Sequence, residues 1–185
     1  EKGVREAEGL TVGDGSLTGN TPERPLFINE HAIRFGVDIV EGQKTGFYID
    51  QRENRLAAAR YMRGRRVLDM FCYSGGFSFA ALAGSAAGVL SIDSSAEALA
   101  LARASLARNA ALDGRAEWLQ GDVFAELRRL REAGRTFDLI VLDPPKFAPT
   151  AAHAEKAARA YKDINLLAFN LLNPGGALMT YSCSG

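Results

Sequence analysis

The sequence predicts a doubly wound α/β fold whose sheet is mostly parallel and Rossmann-like, and three observations support this prediction. From residue 66 onward, short apolar runs alternate with longer segments at helical spacing, as they do when helical crossovers join parallel strands. Several of these runs end in aspartate, glycine or proline, at the sheet edge where such folds bind ligands. A shorter pair of alternating runs precedes them and predicts a β-hairpin. We therefore expect five sheet strands and an N-terminal hairpin extension.

The first 63 residues are predicted to form this extension. Residues 1–25 are rich in Gly, Thr and charge and have no sustained period, so they predict an irregular lead-in. Residues 26–30 and 32–40 alternate apolar and polar side chains, which predicts an antiparallel hairpin. Residues 51–63 are predicted to form a helix that ends before Gly64.

Residues 64–185 are predicted to form the α/β domain. Its strands are expected at 66–71, 88–92, 116–120, 137–142 and 177–181. Its helices are expected at 76–82, 96–111, 123–133 and 152–172, the last of them stopping at Asn173, Pro174 and Gly175.

Composition excludes several functional classes. Lys plus Arg and Asp plus Glu both number 22, so only local patches can attract nucleic acid or an anionic membrane. The cysteines, Cys72 and Cys183, and the histidines, His31 and His153, have no metal-ligand spacing, so no metal is expected. No apolar run is long enough to span a bilayer. Without a signal peptide or a disulfide framework, we expect a cytoplasmic location and no membrane partner, and no oligomeric state is predicted.

Aspartates at three successive strand ends indicate a ligand site around a glycine turn. Asp69 precedes the SGG turn in VLDMFCYSGGFS, where the missing side chains let a ligand approach the backbone. Asp93 ends VLSID at the spacing suited to ribose hydroxyls. Asp122 in QGDVF can accept from an adenine amino group while Val123 packs against the ring. Each acid alone is compatible with a helix cap, but the three together favour a nucleotide-like ligand. The absence of GxGxxG disfavours a dehydrogenase.

The motifs VLDMFCYSGGFS, VLSIDSS, GDVF and FDLIVLDPPKF, in this order, resemble those of class I S-adenosylmethionine-dependent methyltransferases. Two further runs, GQKTGFYIDQREN and ARAYKDINLLAFNLLNPGGALMTYSCSG, narrow the resemblance to bacterial enzymes that make 5-methylcytosine in the 23S RNA of the large ribosomal subunit. The similarity spans residues 42–185. It implies S-adenosylmethionine as cofactor and 23S ribosomal RNA as substrate.

The resemblance also implies roles around the cofactor. Asp93 would hold the ribose, and Asp122 with Val123 the adenine. The methionine end would be lined by Asp69, Tyr73, Ser74, Gly75 and Gly76. The segment implied to close over the cofactor contributes Thr45, Phe47, Asp50 and Arg52. The charges of Arg52 and Asp50 suit the carboxylate and the ammonium of a methionine moiety, although an ordinary surface hairpin is the alternative for this segment.

Carbon 5 of cytosine is a weak nucleophile, and a thiolate that adds to carbon 6 makes it enamine-like. The family places its attacking cysteine where Cys183 lies in TYSCSG, while packing in the core is the alternative for a lone cysteine. A neutral thiol needs a nearby cation or its substrate to ionise, and Lys146 is a candidate. Enzymes of this chemistry with two cysteines carry the second one at the position of Lys146, so the base that removes the carbon 5 proton is not identified.

The DPPKF segment is predicted to address the base. Its prolines remove backbone donors, which leaves the carbonyls of Asp143 and Pro144 as acceptors for an exocyclic amine. The side chain of Asp143 is expected near ring nitrogen 3. Phe147 and Tyr161 are candidates for stacking on a base, with core packing as the alternative.

Two departures from the family are visible in these 185 residues. The N-terminal RNA-binding domain of the PUA type and the strands that follow the cysteine motif are both missing, so we expect a catalytic-domain fragment that ends after the fifth strand and docks RNA poorly. Two other functions remain open. One is an RNA methyltransferase acting on a guanine nitrogen, which needs no Cys183, and the other is a catalytically silent nucleotide-binding module.

Overall fold

A computed structural model of the chain describes residues 8–9, 18–20, 22–42, 46–112, 115–147 and 154–182. The strands in these ranges are β1 (Leu26–Glu30), β2 (Ile33–Val37), β3 (Arg66–Met70), β4 (Gly88–Asp93), β5 (Ala116–Gln120), β6 (Phe137–Leu142) and β7 (Leu172–Thr180). The helices are α1 (Arg52–Ala59), α2 (Gly76–Ala83), α3 (Ala96–Ala107), α4 (Val123–Glu132) and α5 (Ala154–Phe169), and a short 3-10 turn at Ile49–Gln51 precedes α1.

The main sheet has five strands in the order β5-β4-β3-β6-β7, and every neighbouring pair in it is parallel. The order reverses direction beside β3, so the chain crosses from one half of the sheet to the other after β5. In a doubly wound sheet this switch point opens a crevice at the carboxyl ends of the strands. The two remaining strands, β1 and β2, form a separate antiparallel hairpin. The predicted fold class and the hairpin extension are confirmed.

Side-chain alternation along the strands gives the sheet two hydrophobic faces. Val67 of β3 and Val141 of β6 point to the face covered by the hairpin, α1 and α2, whereas Leu68 and Leu142 point to the face covered by α4 and α5. Because both faces are covered, the sequences of these strands are almost continuously apolar. The buried side chains therefore form two hydrophobic cores, one on each face of the sheet.

The hairpin packs on the first of these faces. Phe35 of β2 lies edge-on to Phe79 of α2, with their ring centroids 5.3 Å apart. Asn109, just after α3, accepts a hydrogen bond from the backbone N–H of Arg34 at 2.8 Å and donates to its carbonyl at 2.7 Å. The side chain thereby replaces a strand partner for β2, which fixes the hairpin against α3.

The structure corrects the predicted end of the chain. The last helix was expected to run to Leu172, with the final strand at residues 177–181, but α5 ends at Phe169 and β7 begins at Leu172. The pairing of β7 with β6 shifts register between Phe137↔Leu172 and Leu139↔Ala177, so residues 173–176 bulge within the strand. Asn173 holds this bulge by donating from Nδ2 to Asp138 at 2.6 Å. The Asn-Pro-Gly-Gly signal therefore marks a bulge rather than a loop between two elements.

Two other helices are shorter than predicted. The helix expected over residues 51–63 divides into the 3-10 turn at Ile49–Gln51 and α1, which ends at Ala59. The helix expected to reach residue 111 ends at Ala107, and a turn follows that positions Asn109 against β2. In both cases tertiary contacts, which the helical spacing does not encode, decide where the helix stops.

Candidate functional site

A cavity of about 470 Å³ opens at the carboxyl edge of the sheet. Its wall is formed by the 3-10 turn and the residues before it, the turn after β3, the end of β4 and the segment that follows β6. The structure places the following sequence-predicted residues on this wall: Phe47, Asp50, Tyr73, Ser74, Gly76, Asp93, Asp143, Pro144 and Lys146. Motifs that lie almost a hundred residues apart along the chain therefore surround one space.

The turn after β3 lines this cavity and has a strained backbone. Phe71 and Tyr73 have φ angles of 60° and 49°, in the left-handed region that few side chains adopt. The turn is tied to the sheet by the N–H of Cys72, which donates to the carbonyl of Ile92 at 3.1 Å. Such strain persists only where surrounding structure imposes it, and it is concentrated at ligand-binding sites.

Gly75, at the end of this turn, lies against the tryptophan of β5. Its φ angle is 85°, and a Cβ built on it would lie 2.7 Å from Cη2 of Trp118. The indole nitrogen of Trp118 is buried without a hydrogen-bond partner among the described residues. Glycine is therefore required at position 75, because a Cβ would be strained by the positive φ angle and would clash with the Trp118 ring. Trp118 supports the turn from the side opposite the cavity. Sequence reasoning missed Trp118, because only the β4–β5 pairing brings it there.

Asp93 connects two segments of the cavity wall. Its Oδ2 accepts from the backbone N–H of Tyr73 at 2.8 Å, and its Oδ1 accepts from the N–H of Ser95 at 2.9 Å. Ser95 in turn caps α3 by accepting from the N–H of Ala98. Because each carboxylate oxygen can accept two hydrogen bonds, one position on each oxygen is left for hydroxyl donors of a ligand. The helix cap is thus supplied by Ser95, two residues after Asp93.

The segment before α1 forms the opposite wall. Phe47 is buried against Phe35, with centroids 4.9 Å apart, and the ring of Tyr48 lies edge-on to that of Tyr73 at 5.6 Å. Asp50 lies on the wall and is exposed to solvent. This segment therefore contacts the glycine turn directly across the cavity. Thr45, predicted to belong to the same wall, lies outside the described residues.

Helix α1 contributes a buried cation to the cavity wall, Arg55, which sequence reasoning missed. Arg52, the predicted partner of a carboxylate, is exposed beside Glu53, 3.1 Å away, and lies off the wall of the cavity in the part of the chain that is described. Arg55 is buried and lies on the wall instead. The signal in the sequence was its three-residue spacing from Ala58, which puts both residues on the buried side of α1.

Asp69 is buried behind the wall rather than on it. Its side chain accepts a hydrogen bond of 2.6 Å from the hydroxyl of Ser78 on α2, and that hydroxyl lies 2.7 Å from the hydroxyl of Ser91 on β4. Burial raises the pKa of Asp69 to about 7, assisted by the nearby charges of Asp143 and Asp93 and opposed by the Ser78 hydrogen bond. Asp69 therefore joins β3, β4 and α2 beneath the glycine turn, where a ligand would reach it only indirectly.

This raised pKa predicts a specific dependence of stability on pH. Between the unfolded pKa of 3.8 and the folded pKa of about 7, the native state binds the extra proton, so the free energy of unfolding falls as pH rises. We expect urea titrations to show this fall across the window for the wild type and to show that Asp69→Asn lacks it. Asp163→Asn, at an exposed site on α5, should retain the wild-type slope. A wild-type slope in Asp69→Asn would contradict this assignment.

Asp122 and Val123 begin α4 away from the cavity wall, as judged from the described residues. Asp122 caps this helix by accepting from the N–H of Ala125 at 2.8 Å, and its side chain is exposed. Val123 is buried in the core on the α4–α5 face of the sheet. The capping alternative thus describes the contact that Asp122 makes through one of its two carboxylate oxygens.

The segment after β6 forms a further part of the cavity wall. Gln51 donates from Nε2 to Asp143 at 3.2 Å, which joins this segment to the 3-10 turn. Pro144 is buried on the wall and Lys146 is exposed on it. Phe147 lies off the wall in the described structure and packs against Tyr161 with centroids 4.7 Å apart. Further ring contacts, with Phe71 and Phe124, make Phe147 and Tyr161 part of an aromatic cluster beside the cavity.

Cys183 lies outside the described residues, but the chain is described up to Ser182. The N–H of Tyr181 donates to the carbonyl of Leu142 at 2.9 Å, so β7 ends beside the start of the DPPKF segment. Burial raises the pKa of Tyr181, and the charges of Asp143 and Asp69 raise it further. The other cysteine, Cys72, lies on the cavity wall, where burial first and the carboxylates of Asp69 and Asp93 next raise its pKa well above the ordinary value.

The described ranges contain neither a cluster of metal-binding side chains nor a helix suited to crossing a membrane. No group of three or more His, Cys, Asp and Glu side chains in them is arranged to hold a metal ion. None of their helices combines the length and the apolar character that a bilayer crossing requires.

Comparison with known proteins gives concordant results. The model of a family described as S-adenosylmethionine-dependent methyltransferase matches residues 15–184. Two relatives are named ribosomal RNA large subunit methyltransferase I. The one from Shewanella denitrificans is 49% identical to this chain and the one from Aeromonas hydrophila 51%, in both cases over 98% of its length. The chain spans 46% of the length of each of these relatives.

A solved structure gives the same result for the fold. SMU.776, described as a methyltransferase complexed with SAH, is similar with a TM-score of 0.77 and 28% identity, over 88% of this chain and 43% of that one.

Proposed function

Because the chain belongs to the family of S-adenosylmethionine-dependent methyltransferases, we propose that it binds S-adenosylmethionine in the cavity at the sheet edge and methylates carbon 5 of a cytosine in 23S ribosomal RNA. The names of the relatives support a ribosomal RNA substrate, and the motif around Cys183 supports the cytosine chemistry. In this proposal residues 64–185 form the methyltransferase domain and residues 1–63 its extension. The observation that carries the proposal is the convergence of nine predicted cofactor and base residues, Asp93 and Asp143 among them, on one cavity.

The donors and acceptors of the wall fit the cofactor. A volume of about 470 Å³ lies in the range of roughly 300 to 1,000 Å³ that small-molecule sites occupy. Asp93 retains acceptor positions for two ribose hydroxyls, and the carboxylate of Asp50 suits an ammonium group. Gly76 begins α2 on the wall, where backbone N–H groups favour a carboxylate. We assign the adenine to the neighbourhood of Asp122, whose capping bond uses one of its two oxygens.

When bound, S-adenosylmethionine supplies a methyl group on a positively charged sulfur. The task of the chain is to make carbon 5 of cytosine nucleophilic and to hold it in place. In our proposal the thiolate of Cys183 adds to carbon 6, and the electron pair of the 5,6 double bond moves to carbon 5. Carbon 5 would then take the methyl group as the bond from that group to the cofactor's sulfur breaks. The adduct is resolved when a base removes the proton of carbon 5 and the bond from carbon 6 to the sulfur of Cys183 breaks, which restores the 5,6 double bond and returns the thiolate.

The DPPKF segment holds the base in this proposal. The carbonyls of Asp143 and Pro144 accept from the exocyclic amine. The Asp143 side chain, which accepts from Gln51, addresses ring nitrogen 3 in its protonated form or through a water molecule. Lys146 is exposed on the same wall, where its ammonium favours ionisation of a thiol. Cys72 does not share this role, because its raised pKa keeps the thiol protonated at neutral pH.

The cofactor half of the proposal is tested with Asp93→Ala. The substitution removes acceptors for two hydroxyls, each contributing about 1.5 to 3 kcal/mol when the acceptor is charged, so binding should weaken at least tenfold. Isothermal calorimetry with S-adenosylmethionine measures the loss. Asp163→Ala, an exposed acid on α5, is the matched control and should keep the wild-type affinity. Unchanged affinity in a folded Asp93→Ala protein would reject the ribose assignment.

A further inference from the structure

A buried ion pair connects the hairpin to the first helix. Nε and Nη2 of Arg55 each donate to one carboxylate oxygen of Glu30, at 2.7 Å in both cases. The side chains are only 5% and 8% exposed. Glu30 is the last residue of β1 and Arg55 lies in the middle of α1, so the pair fixes the hairpin end relative to the helix. Two charges buried this deeply are stable only as a pair, because either one alone would be left without compensation.

The same guanidinium contacts the cavity wall on its other sides. Its Nη1 donates to the carbonyl of Tyr48 at 3.0 Å, and its Cζ lies 4.7 Å from the centroid of the Phe47 ring. It also passes close to α2, since a Cβ built on Gly76 would lie 3.1 Å from Cδ of Arg55. One planar group therefore connects the hairpin, the segment before α1 and the first residue of α2.

We infer that Arg55 is a positioning residue for the cofactor, which with Glu30 sets the distance between the Phe47–Tyr48 wall and the start of α2. The inference rests on the proposed function for the identity of the ligand. Phe47, Tyr48 and Gly76 all lie on the cavity wall, and among the described residues Arg55 contacts all three.

The geometry requires a guanidinium rather than any cation. Three N–H groups point in two directions within one plane, toward Glu30 and toward the Tyr48 carbonyl, while the flat face covers Phe47. A lysine ammonium has no planar fork and no face to stack, so it can neutralise Glu30 without holding the wall. This difference separates a positioning role from simple charge compensation.

The test compares cofactor affinity with stability in matched variants. Arg55→Lys and Glu30→Gln should each weaken binding of S-adenosylhomocysteine on the order of tenfold in calorimetry well below the melting temperature of each variant. Asn109→Ala is the control, because Asn109 also ties the hairpin to the helical layer but lies just after α3 and off the cavity wall. It should lower the melting temperature and leave the affinity unchanged.

A double variant keeps the test informative where a single substitution fails to fold. Replacing the pair by Glu30→Leu with Arg55→Leu removes both buried charges together and should preserve the fold. Its affinity for S-adenosylhomocysteine should still be reduced on the order of tenfold, because the Tyr48 carbonyl and the Phe47 ring lose their contacts with the guanidinium of Arg55. Wild-type affinity in the folded double variant or in Arg55→Lys would overturn the positioning role while leaving the proposed function intact. Failure of the unsubstituted chain to bind S-adenosylhomocysteine would overturn both.

Discussion

Replacing Cys183 by alanine is expected to abolish methylation of 23S ribosomal RNA while leaving the affinity for S-adenosylmethionine nearly unchanged. The reason is that the thiol adds to carbon 6 of the base and has no assigned contact with the cofactor. The assay uses the shortest form of the protein that methylates the RNA, with methyl transfer followed by a labelled cofactor and binding followed by calorimetry. Methylation that persists in Cys183→Ala would eliminate the covalent route and favour an enzyme that methylates a guanine nitrogen.

Cys72→Ser is the matched control for this experiment. Cys72 is buried on the cavity wall and its raised pKa keeps it protonated, so its loss should neither stop turnover nor trap a covalent complex. RNA carrying 5-fluorocytosine at the target adds a second readout, because fluorine cannot leave as a proton does. A denaturation-resistant adduct is expected with wild type and Cys72→Ser and not with Cys183→Ala. An adduct that disappears with Cys72→Ser would reassign the nucleophile.

Gly75→Ala is expected to produce the largest loss of stability of the substitutions considered. The left-handed backbone costs about 1 to 2 kcal/mol for any residue with a Cβ. Overpacking against Trp118 adds about 1 to 3 kcal/mol, because the new carbon would lie 2.7 Å from the ring. Chemical denaturation should therefore show a free energy of unfolding lowered by about 2 to 5 kcal/mol. The turn would move toward the cavity, so S-adenosylmethionine affinity should fall as well.

Gly134→Ala separates the two contributions to this loss. Gly134 also has a left-handed φ angle, 63°, but nothing lies within 4 Å of the position that its Cβ would take. It should lose only the conformational part, about 1 to 2 kcal/mol, and retain cofactor affinity. Equal losses in the two variants would mean that Trp118 does not support the turn.

The parallel sheet could be predicted from the sequence because both of its faces are covered. The core-facing residues of strands such as β3 and β6 are then almost all apolar, with Asp69 an exception in β3, and aspartate or proline marks where the strands end. The bulge in β7 could not be predicted in this way. An Asn-Pro-Gly-Gly run is a loop signal in isolation, and only its pairing with β6 and the bond from Asn173 to Asp138 make it part of a strand.

The candidate site shows the same division. Asp93 and Asp143 could be placed because strand ends of a parallel sheet meet at one edge. Arg55 could not be distinguished from Arg52 by chemistry, since the choice depends on Glu30 of the hairpin and on which side of α1 is buried. Trp118 was missed for a related reason, because a ring on β5 supports Gly75 only after β4 and β5 have paired. Local patterns thus identify the residues at strand ends, and long-range pairs decide which neighbours hold them.

The central claim is methylation of carbon 5 of a cytosine in 23S ribosomal RNA, and nucleoside mass spectrometry of that RNA tests it most directly. RNA from cells that lack this protein is compared with RNA from the same cells expressing it or its Cys183→Ala variant. Our account predicts that one 5-methylcytosine disappears without the protein, returns with the wild type and does not return with the variant. An unchanged 5-methylcytosine content, or the loss of a methylated guanosine in its place, would contradict it.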